Sequence, residues 1–418
     1  MPGSVTARDR DIIRRLAGEI AEIAALPGHT RKAEMWRDLN DLRPVRPMVW
    51  INEIPWHEMN TGDELTQQAA DTFWRGIEAG MRMTLYLWRH MPADMIVEPR
   101  WYSPLVIHDS GFGIDEDVRI VRTDDANDIV SREFHKQIAD EHDLEKIRTP
   151  VLRHDRDASE RYHRWMSEAF GDILLVQKVG IVHRWFAPWD ELIRWWTVQS
   201  AMEDLILKPE LVHTAMDRLV SACIARLDQW EKLNVLSFTE GNYRVGSGGL
   251  AYTSELPAAG FDPTRVRTRD QWGCATAQIF SDVSPAMHME FALKYELRWL
   301  ERFGLNYYGC CEPLHTKIDV LRAIPNLRKV SVSPRCDVGK MVEGTGGAYV
   351  LSIKPNPAIL ATDRFNEDLA RQELRAALDP ARGCSVEVIM KDISTVRYDP
   401  RRLWRWCEIV MEVVREYG

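Results

Sequence analysis

The segment YYGCCEPLHTKID (307–319) brings two thiols, a carboxylate and an imidazole into a short span: Cys310, Cys311, Glu312 and His315. All three chemistries are zinc ligands, and a catalytic zinc takes three from protein while keeping one position open. Neighbouring side chains on a strand point to opposite faces, so Cys310 and Cys311 serve one ion only if the chain turns there. One arrangement pairs Cys310 or Cys311 with Glu312 or with a residue of another strand; the competing reading is two small buried residues beside a turn. His315 reads as a helix-start residue. In FTEGNYRVGSGG (238–249), Glu240 could act as general acid/base, metal ligand or solvated loop carboxylate, with Asn242 and Tyr243 placed for substrate contact. Its GSGG lacks the Lys-Ser/Thr of a phosphate loop. NEIPWHEM (52–59) offers Trp56, His57 and Glu58, the latter two as candidates for proton transfer. HRWFAPWDELIRWW (183–196) offers His183, Trp185 and Trp189. Two of these loops are rich in tryptophan, and the chain has 16 of them. Flat rings suit the walls of a pocket for a planar ligand, although most tryptophans only pack elements together.

Such residues need strand ends to hold them. Helical periodicity runs over 7–26 and 63–90, with the apolar segment RPMVWINEI between them as a buried strand. Further strands are expected at 94–99, 172–182, 233–238, 275–280, 305–310, 327–333, 348–354 and 386–391. Helices follow most of them. Ser284-Pro285 reads as a cap with Pro at the first helical position, ahead of Met289, Leu293, Leu297 and Leu300. Another helix starts at Asp399-Pro400. Alternating short strands and helices without a clear linker predict one (β/α)8 TIM barrel over 46–418, with residues 1–45 as an N-terminal helical extension. In that fold the chemistry sits at the carboxyl ends of the strands. There Trp56, Trp185, Trp189 and Tyr243 would wall a small, mostly apolar substrate.

Composition narrows the class. Hydrophobic residues make up 45% and charged residues 28%, as in a packed protein, and no run is long enough to span a membrane. A net charge of −9 without a basic run argues against a nucleic-acid partner. Seven cysteines behind an N-terminus without an apolar signal core fit reduced thiols and a cytoplasmic location.

RPMVWINEIPWHEM, DQWGCATAQIFSDVSPAMHMEF, YYGCCEP and KDISTVRYDPRRLWRW resemble the uroporphyrinogen decarboxylase superfamily, from about residue 44 to the C-terminus. Within it they are similar to the branch of decarboxylase-like proteins and corrinoid-dependent methyltransferases, O-demethylases among them. The resemblance implies a (β/α)8 barrel. It also implies methyl transfer from a small methylated substrate, such as a methoxylated aromatic, to a corrinoid (cobalamin) carried by a separate protein. Zinc would assist that transfer, and a homodimer is a compatible assembly. The arginines with which true uroporphyrinogen decarboxylases meet substrate carboxylates are missing from NEIPWHEM, which disfavours a porphyrinogen. Where the branch has H-x-C, this chain reads Tyr308-Gly309-Cys310. The Cys is kept as the expected metal ligand, with Glu312 and Glu240 beside it, and Tyr308 becomes a substrate contact. Two further ligand positions of the branch hold Ile279 and Ser394. Either the metal has moved to residues such as Glu240 or His288, or this member works without one. The alternatives are a metal-free lyase or decarboxylase of a non-porphyrin substrate, and a binding barrel without turnover.

Overall fold

The computed structural model describes residues 5–122 and 130–418. Six strands form one parallel sheet. In chain order they and two others are β1 (Met48–Ile51), β2 (Arg100–Pro104), β3 (Leu175–Val179), β4 (Trp272–Ala275), β5 (Leu305–Tyr308), β6 (Leu327–Val332), β7 (Val350–Ile353) and β8 (Val386–Met390). The six-stranded order is β1-β8-β7-β6-β5-β4, and β2 and β3 make a separate parallel ladder. A parallel bridge between Ile181 and Leu236 continues β3 toward the segment expected as a strand at 233–238. Two antiparallel pairs, Ile107–Asp109 with Leu152–His154 and Val118–Val121 with Ser131–Phe134, lie outside this array. The fold is α/β with a mostly parallel central sheet, as the alternation of elements predicts.

Register decides which side chains share a face. Lys329 pairs with Val350, Ser331 with Ser352, Ser352 with Glu387, and Tyr307 with Lys329. The alternate residues Val330, Val332, Leu351, Ile353, Val388 and Met390 pack into the main hydrophobic core with the helices. A polar row at every second position thus faces inward, and an apolar row faces the helix layer. The inner face is fully buried: Lys329, Ser331, Ser352 and Glu387 are each 0% exposed. They are satisfied internally. Lys329 Nζ donates to Glu387 Oε2 at 2.9 Å and to the Leu250 carbonyl at 3.1 Å, and it lies 5.7 Å from the rings of both Trp36 and Trp272. Burial favours the neutral amine and lowers the Lys329 pKa, against the pull of Glu387.

The GSGG run explains itself against this face. A Cβ on Gly249 would stand 2.5 Å from Trp36, one on Gly248 2.4 Å from Glu387 Oε1, and one on Gly246 2.5 Å from Tyr307. The loop is glycine because its backbone lies directly on buried side chains. The N-terminal helices pack onto the same body. α1 (Ala7–Ala24) turns Ile13, Leu16, Ala17 and Ile20 toward Trp74 and Met81 of α3 (Thr72–His90), while α2 (Gly28–Asn40) sends Trp36 to Met48, Leu250 and Val350.

Several expected boundaries move. The helix expected at 63–90 begins at Thr72, where the Asp71 carboxylate caps the Phe73 and Trp74 amides. Residues 94–99 are not a strand. Asp94 there is 0% exposed and binds Arg46 at 2.6 Å and the Val49 amide at 2.8 Å. The strand expected at 275–280 ends at Ala275, since the Glu312 carboxylate takes the Thr276 hydroxyl and the Ala277 amide. The helix after Ser284 forms with a π turn at Met289–Leu293 inside it.

Candidate functional site

Four parallel strands deliver charged or nucleophilic residues at their carboxyl ends. Glu53 follows β1, Cys310 and Cys311 follow β5, Lys354 follows β7, and Lys391 and Asp392 follow β8. β5 ends in Gly309, whose φ of +94° swings the chain out of the strand. A Cβ there would meet Leu314 at 2.5 Å and Ser331 at 3.0 Å, so glycine is required on both counts. The turn brings the adjacent sulfurs to the same side, 3.6 Å apart. Lys391 Nζ lies 3.4 Å from Cys310 Sγ, 3.5 Å from Glu53 Oε2 and 3.0 Å from Asp392 Oδ2. Arg244 closes the group, reaching Glu53 at 2.9 Å. Glu53 and Asp392 both hold positive φ, at 51° and 55°. Such backbone is uncommon away from glycine and collects at functional sites.

The electrostatics follow from this clustering. The Cys311 thiol donates to Cys310 and, with Lys391 and Lys354 nearby, lowers the Cys310 pKa to about 7 against the cost of burial. Cys311 is raised by the same bond, so of the two sulfurs Cys310 more readily holds the thiolate. Burial pulls the Lys391 pKa down, but Cys310, Glu53 and Asp392 more than offset it and hold the ammonium above its usual pKa. Glu53 is drawn down to about 2 although burial opposes it, by its hydrogen bond with Asp392 and by Lys391 and Arg244. The result is a nearly buried thiolate–ammonium pair; Cys310 is 4% and Lys391 5% exposed.

Lys354 extends the group inward. Its Nζ donates to Ser331 Oγ at 2.7 Å and to the Tyr307 hydroxyl at 3.0 Å, and Ser331 Oγ donates to the Cys310 carbonyl at 2.6 Å. Beside β1 lies a cavity of about 740 Å³ whose lining includes Trp50, Leu87, Glu98, Trp101, Tyr102 and Asn242. It is mostly apolar and of the size that takes a small organic ligand. Trp50 pairs in register with Ile389 and stands one pleat below Lys391 on the inner face. Asn242, also on the lining, is two residues from Arg244 and donates to Glu98 and to the Ile96 carbonyl, both at 3.2 Å. Trp50 links the cavity to the charged group, none of whose own side chains lines it.

The residues singled out in sequence divide. Cys310 and Asn242 belong to this site, and Glu240 is an exposed carboxylate on the same loop as Asn242. Glu58 is buried, and its oxygens accept from the Thr395 hydroxyl (2.6 Å) and the Val396 and Tyr398 amides (2.7 and 3.1 Å). It ties the first loop to the loop after β8, which is a structural task. His57 Nε2 lies 3.6 Å from it, with the ring edge-on to Tyr398. His183 Nδ1 donates to the Trp272 carbonyl and Nε2 accepts from the Gly246 amide, each at 2.9 Å; burial lowers its pKa to about 4, so it is a neutral brace. Tyr243 stands 6.2 Å from that ring, and burial raises its pKa.

The expected aromatic wall is dispersed. Trp56 packs edge-on to Tyr86. Trp189 is 0% exposed against Phe280 with its Nε1 donating to Phe291. Trp185 lines a separate small cavity with Phe112 and Trp230. Tyr308 faces the helices, not the inner surface, because its neighbour Tyr307 takes the inward parity. Its hydroxyl donates to Glu296 at 2.7 Å and meets His288 Nε2 at 2.6 Å, while His288 Nδ1 faces Lys317 at 3.1 Å. Burial shifts this chain toward neutrality, raising Glu296 to about 8 and lowering His288 to about 3. Sequence reading missed Glu53, Lys354 and Lys391.

Zinc does not fit the donor set found here. Glu312 is turned away, with Oε1 on Thr276 and Ala277 and Oε2 accepting from the Cys310 amide at 2.8 Å. His288 is engaged at both nitrogens. The Cys310 sulfur has the Lys391 ammonium, which cannot ligate a metal, at 3.4 Å. Among the described residues, no group of three or more His, Cys, Asp or Glu is placed to hold an ion, and no helix is long and apolar enough to cross a membrane.

No protein-family model matches the chain, and no curated protein matches it. Among solved structures it is similar to a methyltransferase from Methanosarcina mazei, with a TM-score of 0.51 and 12% identity over 92% of this chain and 98% of that one. At that identity the likeness is one of fold.

Proposed function

We propose that the chain is an enzyme that moves a methyl group from a small, mostly apolar methylated substrate to a corrinoid carried by a separate protein, as a methyltransferase of the uroporphyrinogen decarboxylase superfamily. The eight parallel strands are read as the staves of a (β/α)8 barrel, a reading supported by the shared fold with the M. mazei methyltransferase over nearly both chains. The observation that carries the functional reading is the Lys391 ammonium beside the Cys310 sulfur at the strand ends; Trp50, one pleat below Lys391, also lines the 740 Å³ cavity. The corrinoid enters as the second substrate. The cavity walls of Trp50, Trp101 and Tyr102 hold the methylated ligand. As the methyl group passes to the acceptor, the departing heteroatom keeps the bonding pair. It takes a hydrogen bond, and then a proton, from Lys391. A donor aimed at developing negative charge contributes roughly 10² to 10³ in rate. Cys310 and Glu53 position the ammonium and do not touch the substrate.

The cations Lys391 and Arg244 at one mouth favour one second reading, a metal-free carboxy-lyase of a small acid. Metal analysis of the unchelated protein, alongside assays for methylated corrinoid and for released carbon dioxide, separates the cases. Methyl transfer at substoichiometric metal supports the proposal. Carbon dioxide release without methyl transfer favours the lyase, and stoichiometric zinc lost on Cys310→Ala would overturn the metal-free site.

A further inference from the structure

The adjacent cysteines at the end of β5 have a chemistry that the methyl-transfer reading does not use. Gly309 turns the chain so that both sulfurs lie on one side, 3.6 Å apart. The two differ in environment. Cys310 is 4% exposed and 3.4 Å from the Lys391 ammonium, which favours its thiolate; Cys311 is exposed. A charge-stabilised thiolate with a second thiol in reach is the arrangement of a peroxide-sensitive pair, the first sulfur being oxidised and the second resolving it. The exposed Cys311 places the pair at the protein surface.

We propose that Cys310 and Cys311 form a redox modification site, oxidised by hydrogen peroxide or a small organic hydroperoxide to a bond between the neighbouring sulfurs. The Cys310 thiolate attacks one peroxide oxygen: an S–O bond forms, the O–O bond breaks, and the departing oxygen leaves as hydroxide or alkoxide and takes a proton from water. The Cys311 sulfur then attacks Cys310. An S–S bond forms, the S–O bond breaks, and the hydroxyl leaves with the Cys311 proton as water. The two thiols supply both electrons that reduce the peroxide. A reducing thiol reverses the change. Oxidation removes the negative charge beside Lys391 and leaves the ammonium to Glu53 and Asp392. This inference goes beyond the methyl-transfer reading and stands without it.

The test is peptide mass spectrometry of the full chain after stepwise addition of hydrogen peroxide. Cys336 and Cys384, both partly accessible, serve as internal controls. The proposal expects the peptide spanning 310 and 311 to lose two hydrogens at least tenfold faster than either control oxidises, with recovery on adding dithiothreitol. In Cys311→Ser it expects that loss to be replaced by a dimedone adduct on Cys310. Full alkylation of both cysteines at a peroxide dose that already oxidises Cys336 and Cys384 would overturn it. So would a Cys311→Ser protein that yields no adduct on Cys310.

Discussion

Replacing Lys391 by methionine keeps the stem volume and removes one charge 3.4 Å from Cys310 Sγ. At that distance the attraction between unit charges is about 1.2 kcal/mol at the dielectric of water and about 5 kcal/mol at an effective dielectric of 20. One pKa unit corresponds to about 1.36 kcal/mol, so the thiol pKa should rise by roughly one to three and a half units. The Cys311 hydrogen bond, the largest cause of the low value, survives the change, which places the expectation toward the lower end. The assay is the rate of iodoacetamide labelling at Cys310 against pH, with Cys310→Ser subtracting every other thiol. Only the thiolate reacts, so the rate climbs as pH rises through the pKa. The wild type should reach half its maximum near pH 7, and Lys391→Met at least about one unit higher. A midpoint that moves by less than about half a unit would refute the thiolate–ammonium pair.

Three further outcomes follow from the geometry. Lys329→Met leaves Glu387 buried without its cation and should cost about 3–5 kcal/mol in urea unfolding, much of it recovered by adding Glu387→Leu. Gly249→Ala drives a Cβ to 2.5 Å from Trp36 and should destabilise by about 1–3 kcal/mol, visible as an earlier tryptophan-fluorescence transition. Glu58→Ala strips the acceptor from the Val396 and Tyr398 amides and should cost about 1–3 kcal/mol, while Cys310 labelling keeps its midpoint near pH 7. A Glu58→Ala protein of full stability would contradict the structural role.

The sheet was legible because its strands are short, apolar and regularly spaced. The inward parity was legible too. LRKVSVS alternates Lys329, Ser331 and Ser333 with Val330 and Val332, which marks one face as polar and enclosed. That parity, carried across the register to β5, selects Tyr307 over Tyr308. A choice made by residue type selects neither. Residue type alone favours His57, Trp185 and Trp189 over Lys354 and Lys391, which end the strands expected at 348–354 and 386–391. Lys354 in IKPNP and Lys391 in KDIST each stand just past a parallel strand, where a charged group in this fold reaches the mouth. Glu312 could not be resolved from spacing, since its capture by Thr276 and Ala277 is a contact across 36 and 35 residues. The convergence of Cys310 and Cys311 depends on the φ of Gly309, and the glycine itself was the available signal.

The most direct test of the account mixes the protein with a reduced corrinoid protein and a panel of small methylated aromatics, and follows formation of the methylated corrinoid by absorbance. The wild type should transfer the methyl group, and Lys391→Met should do so about 10² to 10³ slower with unchanged ligand affinity in the cavity. Transfer at the wild-type rate in Lys391→Met would contradict the assignment of the site, and tight binding of uroporphyrinogen with no methyl transfer to any acceptor would contradict the function.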